Sequence, residues 1–235
     1  MSTIDLKDIQ QKLYASLKES GWDRILKGFI LSDDFHSILK ELLTQSQSDK
    51  RFTPVLKQLF RAFEECPYDE LKIVMVTQDP YPKANDADGI AFSCSIGGVI
   101  RPTLRYIFEE LERTVDPEYV QNPDLKRWSN QGILMLNTSL TTTVGKIGPH
   151  VELWKPFTTY LLDVLGSYNN GLLYVFMGNT AKDWSKMVPK TNYKFFTTYP
   201  GSGTAYTKSQ HWNSGNMFNQ VNKVLKENYN TEIKW

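Results

Sequence analysis

Cysteine is scarce in this chain: of 235 residues, only Cys66 and Cys94 carry a thiol. Two thiols cannot build a disulfide framework or a four-ligand metal site, so free thiols are expected, with no metal and no cofactor. Histidine is limited to His36, His150 and His211, and neither sign of charge dominates, since 27 basic and 26 acidic side chains leave a net charge of +1. Nothing global therefore marks a nucleic-acid binder. No run approaches the roughly 18 apolar residues that a membrane span needs. The opening MSTIDLKDIQQ also lacks the apolar stretch of a signal peptide, so the expectation is an intracellular, cytoplasmic protein with no membrane partner. What is present is the composition of a globular protein, 40% hydrophobic and 13% aromatic, enough for one compact domain.

The charge is unevenly spread. From Thr180 onward, eight lysines (Lys182, Lys186, Lys190, Lys194, Lys208, Lys223, Lys226 and Lys234) face three acids (Asp183, Glu227 and Glu232), a local excess of +5. Such a quarter is compatible with phosphate contacts and equally with a solvated lysine face.

Residues 1–70 read as a helical N-terminal part: ILKGF, FHSILKELL and FTPVLKQLFRAF carry apolar residues at three-and-four spacing. Residues 71–235 read as an α/β core of the same domain. Four apolar runs, Ile73–Val76, Ile133–Leu136, Leu172–Met177 and Lys194–Tyr199, look like buried strands. Helical patterns follow Pro102, Trp154 and Ala181 and recur near the end of the chain, which predicts a central four-stranded parallel sheet flanked by helices. In such a sheet ligands bind beyond the carboxyl ends of the strands.

The first strand runs into TQDPYPKANDADGIAFSCS, with Asp79 and Tyr81 bracketing Pro80; the second ends at Asn137. Beyond the third, Gly178 and Asn179 open a helix whose free N–H groups suit a phosphate, and beyond the fourth stands TTYPGSGTAY. A carboxylate, an amide, aromatics and backbone donors on one rim suit a planar, hydrogen-bonding ligand such as a nucleobase.

Several ordered motifs, QDPYP with GIAFS, the Arg101–Thr103 proline loop, LMLN, the Gly178 turn and W-x-x-x-N-x-F-N-Q-V-N before the final EIKW, resemble the uracil-DNA glycosylases of family 1. The likeness runs from about Leu71 to Trp235. It implies a monofunctional DNA-repair glycosylase that releases uracil and leaves an abasic site, acting as a monomer. Iron–sulfur branches of the superfamily need four cysteine ligands and are excluded. The resemblance assigns Asp79 as the catalytic carboxylate beneath an oxocarbenium-like sugar, Gln78 as a backbone-anchored pocket residue, Phe92 as the ring stacked on the flipped base, Tyr81 as the wall at pyrimidine C5, and Asn137 as the amide reading O4 and N3–H. It places the DNA-binding clamps at Pro102 and Thr103, at Gly178 and Asn179, and in the loop holding Ser202, Gly203 and Tyr206.

That loop departs from the family pattern His-Pro-Ser-Pro-Leu-Ser-x-Tyr: the histidine that hydrogen-bonds the departing uracil becomes Tyr199, and the leucine wedge becomes Gly203. Pro82 stands for a histidine after Asp-Pro-Tyr, and Asn179 for a serine. Tyr199 can still donate its O–H, so it is the expected catalytic donor. Without the wedge, single-stranded DNA is expected to be preferred over duplex. His150 reads as a local hydrogen-bonding group, with His211 a candidate replacement donor. Two alternatives stay open: a glycosylase for a modified base, and a catalytically weakened DNA-binding accessory protein. A protein inhibitor of such glycosylases is a further possible partner; a processivity partner is unknown.

Overall fold

The computed structural model describes residues 5–48, 50–201 and 211–235. Three helices open the chain: α1 (Leu6–Ser16), α2 (Asp23–Ile30) and α3 (Asp33–Gln47). Asp5 caps α1 through its carboxylate, and Ser32 caps α3 by accepting from the Phe35 N–H. Phe35, Ile38, Leu39 and Leu42 form the buried stripe of α3 at helical spacing.

The next apolar run corrects the sequence-based expectation. Phe52–Thr53 is a short strand, β1, followed by a 3₁₀ turn at Leu56–Gln58 and the one-turn helix α4 (Arg61–Glu64). Pro54 lacks the N–H that a continuous helix would need, and Phe52 and Thr53 instead pair antiparallel with Thr143 and Thr142.

The centre of the molecule is a parallel sheet in the order β3-β2-β5-β6, with β2 at Ile73–Thr77, β3 at Ile133–Asn137, β5 at Leu173–Met177 and β6 at Tyr193–Thr197. The partner of β1, Thr142–Thr143, is β4. Every residue of β2, β3 and β5 is buried, as expected when both faces of a sheet are covered. β6 differs from its expected burial. Among the described residues it pairs only with β5, at the sheet edge, leaving Tyr193 37% and Phe196 48% exposed.

Helices α5 (Pro102–Thr114), α6 (Lys126–Ser129), α7 (Val151–Tyr168) and α8 (Asn179–Asp183) fill the connections, and a C-terminal helix spans Met217–Tyr229. The helix expected from Ala181 is shorter than its pattern: α8 gives way to a 3₁₀ turn at Trp184–Met187. One buried cluster unites the helical first part with the sheet. Within it, Phe157 of α7 meets Phe29 at 5.4 Å and Phe63 at 5.9 Å, edge-on in both cases. No helix among the described residues is long and apolar enough to cross a membrane.

Candidate active site

All four strands of the main sheet are parallel, so their carboxyl ends share one edge. The register aligns Thr77 with Asn137 and Met177 with Thr197, bringing together the residues that follow.

Gln78 and Asp79 leave the end of β2 under tight control. The Gln78 carbonyl accepts from the Ser139 N–H at 2.9 Å and the Thr138 hydroxyl at 3.0 Å, while its side-chain oxygen accepts from Thr180 at 2.9 Å. Asp79 is half-buried, and its Oδ2 accepts from the Gly148 N–H at 2.7 Å. Burial raises the Asp79 carboxyl above its ordinary range, against the opposing pull of the Gly148 N–H and the Gln78 side chain. The ionised carboxylate is therefore held by fixed dipoles, the Gly148 N–H and the Gln78 side chain.

Tyr81 donates its hydroxyl to the Phe92 carbonyl at 3.1 Å, which links the two residues. Phe92 sits at φ +64°, a left-handed conformation that costs an L side chain about 1–2 kcal/mol. Its ring faces that of Tyr199, with centroids 5.9 Å apart and planes tilted by 46°. Burial also raises the Tyr199 hydroxyl; its hydrogen bond with the Thr103 side chain opposes this shift, and the Asp79 charge adds to it. The phenol is therefore kept as a neutral O–H donor close to the carboxylate. Asn137 is buried, with its Oδ1 accepting from the Thr77 hydroxyl at 2.5 Å. A carbonyl oxygen has two lone pairs, so it retains acceptor capacity for a second donor.

The chain matches no family model. It is nonetheless 31% identical over 227 residues to the uracil-DNA glycosylase of Acinetobacter baumannii, covering 96% of this chain and 95% of that one. It is likewise 31% identical over 215 residues to uracil-DNA glycosylase 1 of Listeria innocua, covering 91% and 96%. The chain belongs to the uracil-DNA glycosylase family. Among solved structures, the mimivirus uracil-DNA glycosylase superposes with a TM-score of 0.85 at 24% identity over 97% of this chain and 90% of its own. The UNG of Nitratifractor salsuginis gives a TM-score of 0.64 at 20% identity over 93% and 98%. Both likenesses are of fold.

For a uracil-DNA glycosylase, the grouping is informative. Gln78, Asp79, Tyr81, Phe92, Tyr199 and Thr103 lie around one site, and Asn137 stands on the neighbouring strand end. Gly178, at φ +90°, abuts Tyr199: a Cβ there would lie 3.0 Å from the tyrosine Cβ. Asn179 and Pro102 are exposed first residues of α8 and α5. Ser202, Gly203 and Tyr206 lie outside the described residues.

His150 is buried among Thr141, Thr143 and Gln45, at 2.8, 3.2 and 2.9 Å, and burial lowers its pKa. It ties the β4 segment to α3 and α7. His211 has a 62% exposed side chain, with Nδ1 4.0 Å from Glu109. Sequence reasoning missed Gly148, the donor to Asp79, although the Gly-Pro step at 148–149 signals a turn. It also missed Thr180 as the hydroxyl that orients Gln78, and it named Thr103 only as a DNA clamp.

Proposed function

We propose that this chain hydrolyses the N-glycosidic bond of a deoxyuridine turned out of DNA, releasing uracil and leaving an abasic site, with Asp79 as the catalytic carboxylate. The observation that carries this assignment is the placement of Asp79 at the end of β2, fixed by the Gly148 N–H at 2.7 Å. This reading draws support from the Asp79 charge acting on the Tyr199 hydroxyl, from the Phe92 ring beside Tyr199, and from the Tyr81 bond to the Phe92 carbonyl, with Asn137 at the end of the neighbouring strand. As the C1′–N1 bond breaks, its electron pair leaves with uracil and positive charge develops on the sugar. An anion fixed nearby stabilises that charge without reorganising. Water then adds at C1′ and loses a proton, while the uracil anion gains one.

In this reading the Tyr199 hydroxyl donates to the uracil O2 as charge develops there, and the Phe92 ring stacks on the base. Tyr81 fills the space that a thymine methyl would need. The Asn137 amide reads O4 and N3–H. Pro102, Thr103, Gly178 and Asn179 contact the DNA backbone, joined by Ser202, Gly203 and Tyr206, with single strands preferred. Action as a monomer is part of this reading. A mimivirus UNG variant in complex with UGI has a TM-score of 0.80 to this chain. This supports a protein inhibitor of the same kind as a partner here.

The test is incubation with oligonucleotides carrying a single uracil, followed by alkali cleavage and mass spectrometry of the released base. Free uracil and cleavage at the uracil position are expected without added metal. Release of a different base only, or binding without release, would contradict the proposal.

A further inference from the structure

Asp88 is completely buried, yet the chemistry proposed above does not use it. Its Oδ1 accepts from the Ile90 N–H at 3.2 Å; its Oδ2 accepts from the hydroxyls of Ser93 and Ser95, both at 2.6 Å, and from the Ser95 N–H at 2.9 Å. Arg61 Nη1 completes the set at 2.8 Å. The donors flank Phe92 on both sides in the chain.

The same stretch holds an unusual turn. The Ser93 N–H bonds to the Ile90 carbonyl at 3.1 Å, closing a four-residue turn whose third residue is Phe92 at φ +64°. That position ordinarily takes glycine or asparagine, because a Cβ is disfavoured at positive φ. A large aromatic therefore occupies a backbone site that it would not choose, and the surrounding contacts must hold it there. Asp88 supplies those contacts, and Arg61 anchors Asp88 in turn. The other guanidinium nitrogen of Arg61 grips both oxygens of Asp124 at 2.8 and 3.0 Å. The Cys94 N–H reaches the Pro123 carbonyl at 3.0 Å, and the Leu125 N–H reaches Ser93 Oγ at 3.2 Å.

We propose that the buried Asp88–Arg61 pair is a positioning device for base recognition: it holds Phe92 in its strained turn, and through the Phe92 carbonyl it also sets the Tyr81 hydroxyl. This rests on the reading of Phe92 and Tyr81 as walls of the base pocket. A residue that acts only on overall stability would impair catalysis whatever stands at position 92. One that acts through Phe92 loses its effect once that ring is gone, so the two substitutions are non-additive.

The experiment is a double-mutant cycle on single-turnover uracil release, using Asp88→Asn, Phe92→Ala and the double variant. Ser95→Ala serves as a milder alternative that leaves the ion pair intact. Asp88→Asn is expected to slow release about tenfold alone, and less than twofold in the Phe92→Ala background. Equal slowing in both backgrounds overturns the inference. In parallel, ring-labelled phenylalanine NMR follows Phe92 in Asp88→Asn or Ser95→Ala, with Phe157 of the remote core as reference. A Phe92 signal that moves while Phe157 stays fixed supports the device; an unmoved Phe92 signal overturns it. If the unsubstituted protein released no uracil, the functional reading would fall, and the NMR result would still decide the positioning role.

Discussion

At Asp79 two demands oppose each other. The proposed catalysis requires the carboxylate ionised, whereas partial burial favours its protonated form and raises its pKa above the reference value of 3.8. A group whose folded pKa is raised contributes stability that is fully present below the unfolded pKa and lost as pH rises through the folded pKa. The ionised Asp79 therefore costs stability at neutral pH. Asp79→Asn is expected to raise the thermal midpoint at pH 7, with the gain disappearing near pH 3.8 and below, as measured by thermal unfolding across that range. A variant less stable than the parent at pH 7 would show that the Gly148 and Gln78 contacts outweigh burial. In the proposed mechanism the Tyr199 hydroxyl is the donor aimed at developing charge, and its loss removes that donor. Tyr199→Phe is accordingly expected to slow single-turnover release about tenfold or more with little change in affinity for abasic DNA. An unchanged rate would transfer the role to backbone groups or to His211.

Elements determine whether such side chains meet. Gly178 joins β5 to α8 at φ +90°, and its missing Cβ leaves room for Tyr199. Gly178→Ala combines the cost of a backbone conformation open almost only to glycine, about 1–3 kcal/mol, with crowding of that tyrosine, so the thermal midpoint should fall by about 2–12 °C. Release should fall with it; unchanged release would mean that the Tyr199 position is not critical. The elements themselves were partly legible in the sequence. β2, β3 and β5 are unbroken apolar runs, because strands covered on both faces can carry no polar alternation, and Asp79 and Asn137 stand at their ends. β6 looked equally apolar, but burial depends on the neighbour that an edge strand lacks. The Phe52–Thr53 strand was hidden because its partner residues lie 89 and 91 positions away in the chain. Gly148 was hidden for the same reason, 69 residues from the carboxylate it holds. Periodicity reports whether a residue is buried and carries no information on what it pairs with across such distances.

On the scale of the whole molecule, the balanced charge means that DNA affinity depends on local lysines and backbone dipoles. Gly203, which the resemblance places where the family carries its leucine wedge, has no side chain to fill the gap left by an extruded nucleotide. Duplex substrates then bear an unstacking cost of a few kcal/mol with less compensation. Single-stranded DNA should be processed faster than the same sequence in duplex, with the duplex rate falling steeply as salt rises. Gly203→Leu should narrow the difference. Single-turnover rates at matched low salt, with and without the complementary strand, measure this. Equal rates on both forms, unaffected by Gly203→Leu, would assign the wedge to another residue.

The most direct test of the account is the rate of uracil release by Asp79→Asn, measured on a single-stranded oligonucleotide with one uracil and compared with the parent protein under single-turnover conditions. In the proposed mechanism, neutralising the carboxylate removes the charge that stabilises the sugar cation while preserving shape. A fall of about 10²-fold or more is predicted, with substrate binding retained and the fold intact by circular dichroism. Release at the parental rate by a correctly folded Asn variant would contradict the assignment of Asp79 as the catalytic group.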